Sequence, residues 1–223
     1  MRKLIGTLAL MLAAGALSPL TANAQDNGKT EAATHGHSHS HDTAADKEIY
    51  KGYFQDEQIA ARTLADWEGD WQSVYPYLKE GTLDPVLKHK AEHGGKSFEE
   101  YRAYYETGYR TDVDRIVIDG DEITFHKDGD SATGHYVSDG YEILTYPKGN
   151  RGVRFIFTKT GGDAGAPQVI QFSDHRIAPA KADHYHLYWG DDRAALLEEL
   201  TNWPTYYPAG LSGEQIVEEM SAH

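Results

Sequence analysis

The segment VDRIVIDGDEITFHKDGDSATGHYV, residues 113–137, decides the fold. Ile116 and Ile118 precede the triplet Asp119-Gly120-Asp121, and Ile123 and Phe125 follow it two residues apart. A period of two with one apolar face is the signature of a half-buried strand. Asp-Gly pairs favour tight hairpin turns, because glycine accepts the positive φ such turns require. A second triplet, Asp128-Gly129-Asp130, starts the next reversal. Neither triplet heads a calcium loop, since DGDEITFHKDGD lacks the alternating acids, central glycine and closing glutamate of an EF-hand.

Strand-like runs continue at 133–137, 141–146, 153–158, 168–174 and 184–189, with a glycine-rich loop at 161–167. Short strands joined by hairpin turns predict an antiparallel meander. Closure into a barrel removes its exposed edges. The expected fold is therefore mainly β, an antiparallel β-barrel with flanking α-helices. Helices are expected at 47–64, 83–93, 97–108, 192–202 and 212–222. Ser97 with Glu100 fits a capping box, and Ser212 caps the last helix. Gly108 is expected just past its helix, at positive φ. WPTYYPAG, residues 203–210, reads as a Pro/Tyr-rich loop.

The first 24 residues read as a cleavable signal peptide: Arg2 and Lys3, an uncharged and mostly apolar run at 4–17, then Ala22-Asn23-Ala24. The run is shorter than the roughly 20 residues that span a bilayer. Export to the periplasm follows, without stable membrane insertion. Residues 25–46 are polar and read as disordered, and HGHSHSH offers His35, His37, His39 and His41 for auxiliary metal capture. The globular domain is expected over 47–223. The formal charge of −14 becomes −16 without Arg2 and Lys3. Such a surface repels nucleic acid and anionic lipid.

The chain has no cysteine. Thiolate chemistry and disulfides are excluded, and any metal must take nitrogen or oxygen ligands. IQFSDHRIAPAKADHYHLYWG, residues 170–190, supplies the nitrogens. Read as a hairpin centred near Pro179, it sets His175 opposite His184. His184 and His186 share a strand face because side chains alternate. Opposed residues lie about 4.5–5.5 Å apart at Cβ and diagonal ones about 7–8 Å. Three neutral imidazoles facing one another inside a barrel would need partners, and three charged ones would repel; one divalent cation resolves both. An all-nitrogen set suits zinc, with one coordination position open. Asp174 is a candidate to orient a ligand ring, although an ideal strand turns it to the other face. His89 and His93, one helical turn apart among lysines, read as a solvated helix face. His126 and His135 are not counted as ligands, and the aromatic residues read as core.

Several longer stretches carry a resemblance. LADWEGDWQSVYPYLKEGTLDPV, GYRTDV, DGYEILTYPKGNRGVRFIF, QFSDHRIAPAKADHYHLYWG and NWPTYYPAGLSGEQIVEEMSAH occur in this order over residues 64–223. With the His-rich run, they resemble the ZinT (YodA) family of periplasmic zinc-trafficking proteins. The resemblance implies a lipocalin-like (calycin) barrel, with Gly69 and Trp71 at the first strand. It implies binding of zinc and also cadmium through His175, His184 and His186. It further implies transfer of zinc to the periplasmic solute-binding component of a zinc ABC transporter, under zinc limitation. Some members carry two barrel cysteines at positions matching Gly134 and Thr158, so that staple is missing here. The expected function is zinc capture and delivery rather than catalysis. A zinc-dependent hydrolase or hydratase using the open position is the alternative, but HExxH is absent and no general base is obvious. A carrier of apolar ligands would need a dry cavity in place of inward-facing histidines.

Overall fold

A computed structural model describes residues 43–222. The signal peptide expected at 1–24 and the histidines at 35–41 lie outside the described residues. Thr43 caps the first helix, α1 (Ala44–Tyr50), through a reciprocal capping box with Asp46. The stretch 47–64, expected as one helix, breaks at Gly52, whose φ is +90°. A Cβ there would lie 2.3 Å from the Arg151 carbonyl oxygen, and the Arg151 amide donates to the Gly52 carbonyl at 2.9 Å. The break therefore comes from close backbone approach to a later strand, which only glycine permits. Beyond it the chain runs irregularly, with two short 3₁₀ turns, Asp56–Gln58 and Leu64–Asp66.

Strand β1 (Gly69–Ser73) leads into three helices: α2 (Tyr75–Glu80), α3 (Asp84–His93) and α4 (Phe98–Tyr109). The Ser97–Glu100 capping box forms as expected. Gly108 lies inside α4 rather than beyond it. Its missing Cβ makes room for Trp203, whose ring would stand 2.3 Å from that atom.

The meander follows: β2 (Arg115–Asp119), β3 (Glu122–Lys127), β4 (Asp130–Thr145), β5 (Arg151–Gly162), β6 (Val169–Ser173) and β7 (Tyr185–Gly190). The runs at 133–137 and 141–146 are one strand, β4, with a register shift between Ser138 and Tyr141 where it pairs with β5. After the short α5 (Arg193–Glu198) comes β8 (Thr205–Pro208), then α6 (Gly213–Ser221). Strand β8 is a correction, since its residues were expected in a loop. It pairs antiparallel with both β1 and β7, and so closes an eight-stranded barrel in sequential order. Its two prolines, Pro204 and Pro208, sit just before and at the end of the strand, where a missing N–H costs least.

Trp67, Trp71, Phe155, Phe157, Phe172, Tyr185 and Tyr206 belong to the buried barrel core. Trp67 stacks on Phe172 with ring centroids 4.6 Å apart. Each large apolar side chain buried in this way contributes about 1.5–3 kcal/mol. A second core lies among the helices, with Val74, Leu78, Leu83, Leu87, Tyr109, Tyr207 and Ile216 buried. Adjacent Tyr206 and Tyr207 thus serve different cores, as strand alternation requires. No helix among the described residues is long and apolar enough to cross a membrane.

Candidate metal centre

Strand β7 and the loop before it carry the three hairpin histidines. Ser173 pairs with His186 and Phe172 with Leu187. Continuing that register sets His175 opposite His184, as the symmetric hairpin predicts. The chain leaves the sheet after Ser173, however, and His175 takes a left-handed φ of +65°.

The three rings converge. Their centroids are 5.9 Å apart for His175–His184, 5.5 Å for His175–His186 and 5.8 Å for His184–His186. One ligand nitrogen from each lies within 4.8 Å of the other two. A tetrahedral zinc with bonds of about 2.0–2.1 Å holds its nitrogens roughly 3.4 Å apart, so small ring rotations close the triad on an ion.

The cluster lies outside the barrel, contrary to the expectation that these rings face its interior. Tyr185 and Leu187 fill the barrel core, so His184 and His186 project from the opposite face of the wall. The barrel interior is already occupied by aromatic rings. A cavity of about 500 Å³ is lined by Val113, Phe125, Pro167 and Trp189 among others, and by none of the three histidines.

Neighbours fix each ring differently. His184 is 9% exposed and stacks on Tyr207 with centroids 5.1 Å apart and planes 11° from parallel. His175 is exposed and stacks on Tyr50 of α1 at 4.5 Å. Burial pushes the Tyr50 phenol up to about 12, so it stays protonated near neutrality. His186 is partly buried, and its Nδ1 lies 2.8 Å from Thr205 Oγ1. That hydroxyl donates its single hydrogen to the Trp203 carbonyl, 2.9 Å away. Thr205 must therefore accept from His186, which places the ring hydrogen on Nδ1 and leaves the Nε2 lone pair for a metal. Burial first, then His175, His184 and Arg154, hold the His186 proton affinity well below the usual imidazole range. This favours the neutral imidazole, the form that binds metal.

Asp174 bonds to Arg62 and to the backbone of its own loop. Its Oδ1 accepts from Arg62 Nη1 at 2.6 Å and from the Arg176 amide at 3.2 Å. Arg62 also donates to Asp66 at 2.8 Å and to the Ala180 carbonyl at 2.8 Å, and lies 4.0 Å over the Trp67 ring. This buried guanidinium ties the loop, at Asp174 and Ala180, to the segment that precedes β1, next to His175. His126 lies on β3 opposite Arg115, and His135 lies on β4 beside Asp121 and Glu122, each at 3.4 Å. Neither joins the triad. Thr205 and Tyr207 were missed because their segment was expected as a loop. The β-branched and aromatic run Thr-Tyr-Tyr between prolines was the strand signal available.

Comparison with known proteins finds zinc- and metal-binding relatives. A family model described as ZinT (YodA) periplasmic lipocalin-like zinc-recruitment matches residues 45–223. The chain is 62% identical over 178 residues to "Probable metal-binding protein YrpE" of Bacillus subtilis, covering 79% of this chain and 71% of that protein. It is 53% identical over 182 residues to "Zinc-binding protein AdcA" of Streptococcus pyogenes, covering 79% of this chain but only 35% of AdcA. The chain therefore spans about a third of the length of that relative. Among solved structures, the Zn(II)-bound ZinT-like domain of Streptococcus pneumoniae AdcA superposes with a TM-score of 0.75 at 49% identity. The match covers 78% of this chain and 97% of that domain.

Proposed function

The chain belongs to the ZinT (YodA) family, and we propose that it captures zinc outside the cytoplasm on His175, His184 and His186 and hands it to an uptake system. It is a metal-binding protein whose metal is zinc, not an enzyme, in keeping with relatives named metal-binding and zinc-binding and with the zinc-bound domain it matches. The observation that carries the ligand assignment is the convergence of three ring nitrogens within 4.8 Å. Support also comes from His186, whose hydrogen bond to Thr205 turns a lone pair toward the cluster.

Three imidazoles leave one tetrahedral position open. On the outer wall of a barrel, with His175 exposed, that position is reachable by a ligand from another protein. This suits a cargo that must leave again. The recipient is the periplasmic solute-binding component of a zinc ABC transporter, and the signal peptide at 1–24 delivers the chain to that compartment. Cadmium, a softer ion of the same charge, competes for the same nitrogens. His35, His37, His39 and His41 add auxiliary metal capture to the chain.

Calorimetric zinc titration tests the assignment. Wild type takes one zinc tightly at the triad, and His175→Ala/His184→Ala/His186→Ala removes that tight equivalent. A triple variant that keeps the tight equivalent overturns it.

A further inference from the structure

We propose that α3 carries a second divalent-metal site, weaker and independent of the triad, formed by His89, Glu92 and His93. The site takes borderline transition cations such as zinc, copper or nickel, because its donors are two imidazoles and one carboxylate.

Three observations support it. One ligand atom from each of the three residues lies within 4.8 Å of the others, the same closeness that marks the hairpin triad. His89 and His93 sit four residues apart on a ten-residue helix, with ring centroids 4.4 Å apart. That spacing puts both on one face, and Glu92, three residues after His89, flanks the same face. The third observation concerns the tautomer. His93 Nδ1 lies 2.9 Å from the His89 backbone carbonyl oxygen. A carbonyl only accepts, so Nδ1 carries the hydrogen and the Nε2 lone pair remains for a metal. A ligand histidine that donates its other nitrogen to a backbone carbonyl is the usual way proteins fix such a ring.

The helix keeps this face in solvent by burying another. Val86 and Leu87 pack into the helical core, whereas His89, Glu92 and His93 are exposed. The site is therefore preformed on a rigid backbone and open to exchange. Lys88 and Lys90 leave the helix about 100° round from His89, which limits their repulsion of a bound cation. Exposure of all three donors and these lysines make the site weaker than the triad.

The test follows individual histidine rings by nitrogen-15 NMR while zinc chloride is added to the full chain. Once tighter sites are filled, the Nε2 signals of His89 and His93 move together. His93→Gln abolishes the His89 response, and Glu92→Gln raises the zinc concentration needed for half-response severalfold. The variant His175→Ala/His184→Ala/His186→Ala keeps the response of both rings. Unmoved His89 and His93 signals at millimolar zinc overturn the site. So does a His89 response that survives His93→Gln, which would mean solitary imidazoles. Loss of the response in the triad variant overturns its independence.

Discussion

Strand β7 and the loop leading into it deliver histidines to one cluster by opposite means. His186 is held by the sheet: it pairs with Ser173 and Thr205 across neighbouring strands, and its ring bonds to the Thr205 hydroxyl. His175 has left the sheet, takes a left-handed φ of +65°, and rests on Tyr50. What fixes the loop beside it is a buried ion pair, Arg62 to Asp174 at 2.6 Å, with side-chain exposures of 0% and 1%. A repetitive backbone positions a ligand through register alone. An irregular one needs a specific tertiary anchor, supplied here by a residue 112 positions away in sequence.

The largest expected effect therefore falls on that anchor. Arg62→Met leaves the Asp174 carboxylate buried without its counter-charge, and breaking such a pair costs about 3–5 kcal/mol. Urea unfolding of the zinc-free protein should show that loss, and zinc titration should show weaker binding through a displaced His175. Adding Asp174→Asn should recover part of the stability, because the orphaned charge is then gone. If Arg62→Met costs less than 1 kcal/mol and binds zinc as wild type does, the loop is not held this way.

The difference between the two regions also explains what was legible in the sequence. The barrel followed from residues 113–137, where alternation and Asp-Gly turns are local signals. The hairpin register followed from the spacing of His175, His184 and His186 about Pro179, and the observed pairing of Ser173 with His186 keeps that centre. Which face the histidines occupy was not legible. Alternation separates Tyr185 from His186, but only the closed barrel shows that Tyr185 and Leu187 lie inside it. The helix expected over 47–64 failed for a similar reason. Gly52 ends it against Arg151, a contact between distant residues that leaves no local pattern. Strand β8 was obscured by its flanking prolines, and Thr205 with it.

Thr205 gives the next expected effect, on the sheet-held side. Thr205→Val keeps the shape but removes the acceptor that fixes the His186 tautomer. Loss of such a partner to a ligand histidine typically weakens metal binding about 10–100-fold. Competition against a zinc chelator measures it. An unchanged affinity would mean that strand geometry alone orients His186, which makes the contrast between the two regions sharper still.

The smallest effect is one of sign. In the zinc-free protein, glycine and alanine should rank in opposite order at the two positions. At residue 175 the backbone is left-handed, where a Cβ costs roughly 1–2 kcal/mol. That exceeds the roughly 0.4–1 kcal/mol by which glycine's freedom stabilises the unfolded chain. His175→Gly should therefore be more stable than His175→Ala, by up to about 1.6 kcal/mol. At residue 186 the backbone is extended and paired on both sides, so no Cβ penalty exists and only glycine's entropy counts. His186→Gly should then be less stable than His186→Ala by about 0.5–1 kcal/mol. Both comparisons remove the imidazole in each member, so ring contacts cancel and the backbone term alone decides the order. Urea midpoints of the four variants, taken with equal slopes, give both differences. The same order at both positions would place His175 in an ordinary strand conformation and erase the distinction between the loop-held and sheet-held histidines.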